Sequence, residues 1–227
     1  MTRRLRGLGI VLALIGLAFV AAGGFAFMKT QEGYRSLNAF SAAQDVQLTY
    51  NEDGQLIDSG ETEGAQAIMA LLTDDWAYPV VGSELNPNDP VVNTASEYMY
   101  QMATIAYHTL NGVQTVVLTE PVEYNGETFA AGTYEFPVDG RYFSQFDRAH
   151  PIEGPARTQA WSATAHGLIA ELGVGTATAS ALQLALALAG LLAGLGGTLF
   201  LTGAGLVWAT RAETVPVPVL RPAVMPA

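Results

Sequence analysis

The sequence contains no cysteine and only one lysine, Lys29, among its 227 residues. Without cysteine the chain forms no disulfide bond and offers no thiolate as a metal ligand or nucleophile. Serine-nucleophile, Walker and dinucleotide-binding glycine motifs are also missing. These absences lower the expectation of an enzyme without excluding one, so the distribution of charge and hydrophobicity becomes the main source of information.

Charged residues are missing from two long stretches near the ends of the chain. Residues 7–28 carry none, and neither do residues 172–210. About 20 apolar residues suffice for a helix to cross a hydrocarbon core of about 30 Å. The predicted organisation is a cytoplasmic N-terminus (1–6), a transmembrane helix (7–28), an extracytoplasmic domain (29–178), a second transmembrane helix (179–210) and a cytoplasmic proline-rich tail (211–227).

Basic residues predict the orientation of these helices. Arg3, Arg4 and Arg6 precede the first apolar run, and Arg211 and Arg221 follow the second. Positive residues in short flanks favour the cytoplasmic side of a membrane. We therefore expect a multi-pass protein of the cell membrane with both termini in the cytoplasm and the middle domain outside.

A cleaved signal peptide is the alternative for the first run, because a basic start, an apolar stretch and small residues at 20–22 suit such a segment. The run continues through Phe25, Phe27 and Met28, which is long for a signal core. A retained anchor is therefore the preferred interpretation. Either way, the middle domain is expected to face outward.

The middle of the chain is strongly acidic. Residues 30–178 contain 20 Asp and Glu against four Arg, a net charge of −16, whereas the whole chain carries −11. Such a domain repels nucleic acid, so no nucleic-acid partner is expected. A solvated surface is the preferred explanation for this charge, and an acidic docking face is the alternative.

The pattern of residues in the middle predicts an α+β domain with short hairpins and two to three helices. A capping box at Thr94 and Glu97 opens a helix to about Leu110, and Gly173 is expected to close another that begins near residue 157. Asn125-Gly126 favours a two-residue hairpin turn. The remaining expected elements are a helix at 63–73, a hairpin at 46–57, a buried strand at 113–119, and short strands at 134–136 and 141–143.

Both apolar runs carry stripes of glycine, at Gly9, Gly16 and Gly23 and at Gly190, Gly194 and Gly197. Small residues let transmembrane helices approach closely. The stripes therefore predict helix packing, either within one chain or through self-association or a membrane-protein partner, in addition to contact with the lipid bilayer.

The candidate metal ligands are His108, His150, His166 and Glu97. No two of these histidines have the spacing of a known ligand motif. Glu97 and His108 share a polar helix stripe but stand about 16 Å apart along the axis, too far to share one ion. Structural or solvent-facing roles are therefore preferred, and no catalytic residue and no cofactor are predicted.

Three segments resemble a group of uncharacterised two-span membrane proteins from actinobacteria: residues 33–37 (GYRSL), 86–98 (NPNDPVVNTASEY) and 153–157 (EGPAR). The similarity runs over most of residues 30–210. Some members of that group are described as subunits of aromatic-ring-opening dioxygenases. The resemblance implies an actinobacterial cell-membrane protein, and it transfers no catalytic residue.

Two functions follow as expectations. The preferred one is a non-catalytic membrane protein whose acidic outer domain binds a partner or ligand, including as an accessory subunit of a membrane complex. The alternative is an outward-facing metal-dependent enzyme, dioxygenase-like, or a metal-binding protein that uses its histidines with carboxylates. An iron dioxygenase needs two histidines and a carboxylate to converge on one metal, so the positions of the histidines in the fold separate the two.

Overall fold

The structure is a computed structural model that describes residues 2–211, so the predicted proline-rich tail lies outside the described residues beyond Arg211. The chain divides into two compact units. The first, here called the helix pair, joins residues 2–33 with residues 182–211. The second, the central domain, is Tyr34–Ala181.

Residues 2–211 form five α-helices and four β-strands. The helices are α1 (Thr2–Gln44), α2 (Thr62–Ala70), α3 (Ala95–Leu110), α4 (Glu153–Ala160) and α5 (Ala163–Ala209). The strands are β1 (Val113–Leu118), β2 (Val122–Tyr124), β3 (Glu127–Phe129) and β4 (Gly132–Pro137). A π-helical turn at Leu71–Asp75 extends α2, and 3₁₀ turns lie at Gly82–Glu84 and Phe143–Gln145. A mixed α/β middle flanked by two long apolar helices is thus confirmed.

Both predicted apolar helices are long and apolar enough to cross a membrane. Only 11% of the most apolar stretch of each is buried within the structure. Core helices of soluble proteins are mostly buried, so this exposure distinguishes α1 and α5 from them. Each helix also continues beyond its apolar run, and α1 stays helical up to Gln44.

Glycine determines how α1 and α5 pack in the helix pair. The contacts run antiparallel, with Gly9 against Gly203 and Gly16 against Gly196. A methyl group on Gly196 would come within 2.7 Å of the Gly16 carbonyl oxygen, and one on Gly9 would come equally close to the Gly203 carbonyl oxygen. Gly23 meets the backbone of α5 at Ala193 in the same way. The two backbones therefore touch at positions where a side chain has no room.

Hydroxyl groups of the helix pair are satisfied within their own helix. Thr198 donates to the carbonyl oxygen of Gly194 at 2.9 Å, and Thr202 donates to that of Thr198 at 2.8 Å. In hydrocarbon, polar groups find no water to bond, so such internal hydrogen bonds are what a lipid environment demands.

The strands of the central domain form two separate antiparallel pairs. β1 pairs with β4, with Val113 opposite Pro137 and Leu118 opposite Gly132. β2 and β3 form the hairpin predicted at Asn125-Gly126, where both turn residues have positive φ, 51° and 83°. A type I′ turn requires that conformation at both positions, which explains why Asn-Gly predicts it correctly.

The predicted hairpin at 46–57 is present as a tight turn with little strand around it. Asn51 N–H donates to the Gln55 carbonyl at 2.9 Å, and Tyr50 and Leu56 form an isolated bridge. The residues before the turn pair elsewhere, since Leu48 N–H donates to the Pro90 carbonyl at 2.8 Å. Competition from this second partner explains why the hairpin stays short.

Two strand predictions need correction. The 113–119 segment was expected to be buried, but only Val116 of β1 is, because β1 packs one face inward and turns the other outward. Residues 141–143 form no strand. A positive-φ turn at Asp139-Gly140 redirects the chain, and the Gln145 side chain accepts from Tyr142 N–H at 2.6 Å, which favours a 3₁₀ turn.

The expected end of a helix at Gly173 is wrong. The helix breaks earlier, at Trp161, whose ψ of 59° separates α4 from α5, and the Trp161 indole N–H donates to the Arg141 carbonyl at 3.0 Å. Gly173 and Gly175 lie inside α5. A methyl group on Gly175 would come within 2.6 Å of the Tyr98 ring, so this glycine permits close packing against α3 and does not end a helix.

The core of the central domain forms around α3, the 71–76 turn and the aromatic residues that follow β4. One cluster comprises Leu71, Ala106, Leu110, Val138, Phe146, Ala160 and Trp161. A smaller one, Val116, Ile152 and Ala156, lies between β1 and α4. The larger cluster includes Ala106 and Leu110 of α3, and α3 in turn positions two of the four candidate site residues, Glu97 and His108.

Candidate functional site

Glu97 lies at the first turn of α3 and is only 2% exposed. Its carboxylate accepts from the backbone N–H of Asn93 and Thr94, at 3.0 and 2.9 Å, and from the Thr94 hydroxyl at 2.8 Å. The capping box predicted at Thr94 and Glu97 is confirmed. Of the two roles expected for Glu97, structural or solvent-facing, the structure shows the structural one, because its buried carboxylate satisfies the helix N-terminus.

Burial raises the pKa of Glu97, and the hydrogen bonds from Asn93 and Thr94 oppose that rise. The charge of Glu97 also acts on Tyr50. Burial first, and then Glu97, raise the pKa of Tyr50 to about 12. All three donors converge on one carboxylate oxygen, Oε2, so this carboxylate serves as a structural acceptor for the start of α3.

Two buried tyrosine hydroxyls lie near Glu97 and each other, that of Tyr100 on α3 and that of Tyr50 in the segment before α2. Neither the Tyr50 nor the Tyr100 hydroxyl has a hydrogen-bond partner among residues 2–211. The pKa of Tyr100 is raised by burial and then by the charges of Asp58 and Tyr50. Unpaired buried hydroxyls are uncommon and costly, so this pair is the least satisfied polar region that the described chain contains around α3.

His108 lies in the last turn of α3 and faces Asp58, with its Nε2 atom 2.9 Å from the Asp58 Oδ1 atom. The His108 side chain is 52% exposed and that of Asp58 is 15% exposed. Asp58 belongs to a tight turn in which Ser59 and Gly60 both have positive φ. The pair resembles a carboxylate-oriented imidazole, but it lies at the surface, three helical turns from Glu97.

His150 acts within the backbone of α4. Its Nδ1 atom accepts from the N–H groups of Ile152 and Glu153 at 3.1 and 3.2 Å, which caps the start of the helix. Its ring lies edge-on to Tyr124 and Phe129, with centroids 5.3 and 4.9 Å away. Both Nδ1 and the ring faces are therefore engaged in structure.

His166 lies in the first turns of α5. Its Nδ1 atom is 3.1 Å from the Ser162 carbonyl oxygen, and its ring packs edge-on against Phe143 with centroids 5.0 Å apart. The three histidines thus contact different elements and different partners. Within residues 2–211, no three His, Asp or Glu side chains form a group that could hold a metal ion.

Sequence reasoning missed two features. Asp58 lies 50 residues before His108, which it contacts, and Tyr50 lies equally far before Tyr100, and no local pattern marks such a long-range contact. The second is Arg157, whose guanidinium lies 4.0 Å from the centroid of the Phe143 ring. The Nε and one terminal nitrogen of Arg157 are buried without a hydrogen-bond partner in the described part of the chain.

The outward face of β1 is the most apolar exposed surface of the strands. Val113 and Val117 are 57% and 61% exposed, and between them Thr115 donates to Glu135 at 3.0 Å. We call Val113, Thr115, Val117 and Glu135 the valine face. Alternation of inward and outward residues along β1 signals this face in the sequence.

The glycine stripes differ in their surroundings. The stripe on α1 is occupied by α5, as described above. By contrast, a methyl group on Gly190, Gly194 or Gly197 would meet nothing within 4 Å. We call these three residues the open glycine face. No protein-family model, curated protein or solved structure matches this chain.

Proposed function

We propose that this chain is a two-span membrane protein whose acidic central domain lies outside the cytoplasm and binds a partner or ligand without catalysing a reaction, including as an accessory subunit of a membrane complex. The glycine-notched packing of α1 against α5 carries the proposal. The helices touch through Gly9, Gly16 and Gly23 and leave their large apolar side chains exposed. Such surfaces are stable in lipid and costly in water.

Two observations support the anchoring and its direction. Arg3, Arg4, Arg6 and Arg211 lie at the same end of the antiparallel helices, which favours a cytoplasmic location for that end. Gly23 of α1 packs against Ala193 of α5, beyond the small residues at 20–22 that would suit cleavage. A retained anchor keeps all three glycine contacts of α1 with α5. Cleavage after residues 20–22 would separate Gly9 and Gly16 from Gly23. The resemblance to actinobacterial two-span proteins agrees with this placement.

The valine face is the surface we assign to partner binding by the central domain. It combines two exposed valines with Glu135, on a domain whose net charge is strongly negative. Apolar contact surrounded by negative charge fits a partner surface with apolar and basic residues. Self-association through this face is disfavoured, because it would bring two acidic domains together.

Photocrosslinking in native membranes tests this assignment. A photoreactive amino acid at Val117 of the full-length chain should give a discrete crosslinked product, and the same group at Glu52, an exposed turn residue, should not. The double substitution Val113→Thr with Val117→Thr keeps β-branching and should abolish copurification of that product's partner. Val81→Thr, at a valine 48% exposed elsewhere, is the matched control. Equal crosslinking at both positions would contradict the assignment.

A transmembrane partner would fit the open glycine face. Gly190, Gly194 and Gly197 lie on one side of α5 with space around them, and small residues at such spacing suit a second helix. Gly194→Leu should therefore weaken copurification of a membrane partner or a second copy. Gly24→Leu is a control, since a side chain there also meets nothing within 4 Å and Gly24 lies on the other helix, α1.

A metal-dependent enzyme is the second candidate, and the Asp58–His108 pair is the observation that favours it. Asp58 and His108 supply only two ligands. A metal bound there would need further ligands, which residues 2–211 do not place beside this pair. Metal analysis of protein purified without chelators separates the two functions. About one equivalent of iron, lost in His108→Gln and retained in His150→Gln, would favour the enzyme over the binding protein.

A further inference from the structure

A groove opens between α1 and α5 within the helix pair, at the end that contains the N-terminal arginines. Its volume is about 340 Å³, within the range of small-ligand sites. Its walls are apolar and include Ile10, Leu14, Ala204, Val207 and Trp208, and Arg211 closes one end. The groove exists because the side chains of Ala13 and Ala204, which line it, are too short to fill it.

Further arginines lie on the groove side of α1. Arg6 and Arg3 precede Ile10 by four and seven residues, one and two helical turns, so they fall on the same side as Ile10. Arg4 falls about 120° away around the helix. The groove is thus apolar along its length and positively charged at one end.

Trp208 lies where the groove changes from apolar to positively charged. Its side chain is 77% exposed although it lines the groove beside Arg211. An indole has an apolar body and a polar N–H, and it favours the boundary between hydrocarbon and headgroups. The arginines therefore stand at headgroup level and the aliphatic walls at acyl-chain level.

We propose that this groove binds one anionic phospholipid, with an acyl chain along Ile10, Leu14 and Val207 and the phosphate group beside Arg3 and Arg6. Arginine recognises phosphate with charge-assisted hydrogen bonds. A second copy of the chain is a poor occupant, since it would place two sets of arginines against each other. The inference rests on the membrane location proposed above and adds a lipid preference to it.

Quenching by brominated lipids tests the site in the full chain reconstituted into vesicles. Brominated phosphatidylglycerol, as a minor component in phosphatidylcholine, is compared with brominated phosphatidylcholine as a minor component in phosphatidylglycerol. The signal of Trp208 is the difference between the wild type and Trp208→Phe. We expect the anionic lipid to quench Trp208 more strongly than the mole fraction of that lipid in the vesicle predicts.

Arginine variants localise the preference. Arg3→Gln and Arg6→Gln should each reduce the preference for phosphatidylglycerol by roughly fivefold, the effect of about one basic residue near a membrane surface. Arg4→Gln removes the same charge from another side of α1 and should leave the preference largely unchanged. Rescue by Arg6→Lys is expected to be partial, because lysine keeps the charge and loses the bidentate geometry.

The outcomes separate this inference from the proposed function. Equal quenching by the two lipids, in protein that inserts normally, overturns the lipid site and leaves the membrane anchoring intact. An Arg4→Gln loss as large as that of Arg6→Gln also overturns the site, because it shows a diffuse effect of charge. Protein that does not insert into either vesicle contradicts the proposed membrane location itself.

Discussion

The helix pair and the central domain achieve close packing by opposite means. In the helix pair the nearest contacts occur where side chains are missing, as at Gly16 and Gly196. In the central domain they occur around large aromatic side chains, such as Trp161, which stacks on Tyr142 with ring centroids 5.7 Å apart. Burying an aromatic side chain stabilises a fold strongly in water, whereas lipid offers no such gain and rewards backbone contact. The difference indicates which solvent each unit is built for.

Polar groups differ between the units in the same sense. Hydroxyls of the helix pair bond to their own helix, as Thr198 does to Gly194. The central domain has such helix-internal bonds too, as Thr104 donates to the Tyr100 carbonyl oxygen at 3.0 Å, but it also joins hydroxyls across the sequence, as between Ser41 and Tyr98 at 2.7 Å. Local bonding suits a helix that inserts as a unit, and long-range bonding suits a domain that acquires its core on folding.

The largest effect is expected at Trp161. Trp161→Ala removes a core side chain that is 7% exposed and should lower the free energy of unfolding of the central domain by about 3–5 kcal/mol. Trp208→Ala, at a tryptophan that is 77% exposed, should change it by less than about 0.5 kcal/mol. Denaturant titration in detergent, followed by near-ultraviolet circular dichroism, measures both. Similar losses would contradict the view that the two tryptophans face different environments.

A smaller effect is expected from filling a glycine notch. Gly16→Leu should destabilise the helix pair by about 1–3 kcal/mol, because a side chain there meets the α5 backbone. Gly24→Leu makes the same change on α1 where nothing lies within 4 Å, so it should be nearly neutral. The detergent concentration at which the helices separate, measured by energy transfer between labels on α1 and α5, reports the loss. Equal shifts for both variants would show that the notch is unimportant.

Two buried tyrosine hydroxyls offer a comparison within the central domain. Tyr98→Phe should cost about 1 kcal/mol, since it leaves the buried Ser41 hydroxyl unpaired. Tyr50→Phe removes a hydroxyl that has no partner among residues 2–211 and should be neutral or slightly stabilising. Paired denaturation curves at neutral pH measure both changes. A larger loss from Tyr50→Phe than from Tyr98→Phe would reveal a role for that hydroxyl.

Alkaline pH sharpens the Tyr50 prediction. The pKa of Tyr50 is raised from 10.0 to about 12, so folding favours its protonated form. That stability is fully present below pH 10 and is lost as the pH rises toward 12. Tyr50→Phe should therefore lose less stability than the wild type across this interval. Identical pH profiles for the two proteins would contradict the burial of the Tyr50 hydroxyl.

The smallest effect is expected from Glu97. Burial raises its pKa, so its protonated form favours folding, and the contribution is fully present below the unfolded-state pKa of about 4.3. It is lost as the pH rises through the higher folded-state value. Glu97→Gln keeps a carbonyl oxygen for the Thr94 and Asn93 donors and should flatten this dependence. The slope of the unfolding free energy against pH, compared between the two proteins, tests the sign.

Local signals predicted local structure well. Thr94 with Glu97 predicted the start of α3, and Asn125-Gly126 predicted the β2–β3 turn, because each motif satisfies its own backbone within a few residues. Gly173 misled for the converse reason. A glycine can end a helix, or it can let another side chain pack closely against a helix that continues. The contact between Tyr98 and Gly175 shows that this segment of α5 is the second case.

Features that depend on tertiary contact were beyond the sequence. The glycine stripes on α1 and α5 predicted close packing of helices. The stripe that contains Gly16 is covered by the other helix and the one that contains Gly194 is not, because this depends on which helix faces meet. For the candidate site, the sequence placed Glu97 and His108 on one helix stripe and did not reveal Asp58. That residue is brought to His108 by the turn before α2, a contact with no local signature.

The absence of cysteine makes one measurement decisive for the proposed topology. Single cysteines are introduced as Glu52→Cys in the central domain and as Thr2→Cys near the N-terminus. Intact cells are then treated with a membrane-impermeant maleimide. We predict that the Glu52→Cys protein is labelled from outside and that the Thr2→Cys protein is labelled only after the membrane is permeabilised. Labelling of Thr2→Cys in intact cells, with Glu52→Cys protected, would contradict the account.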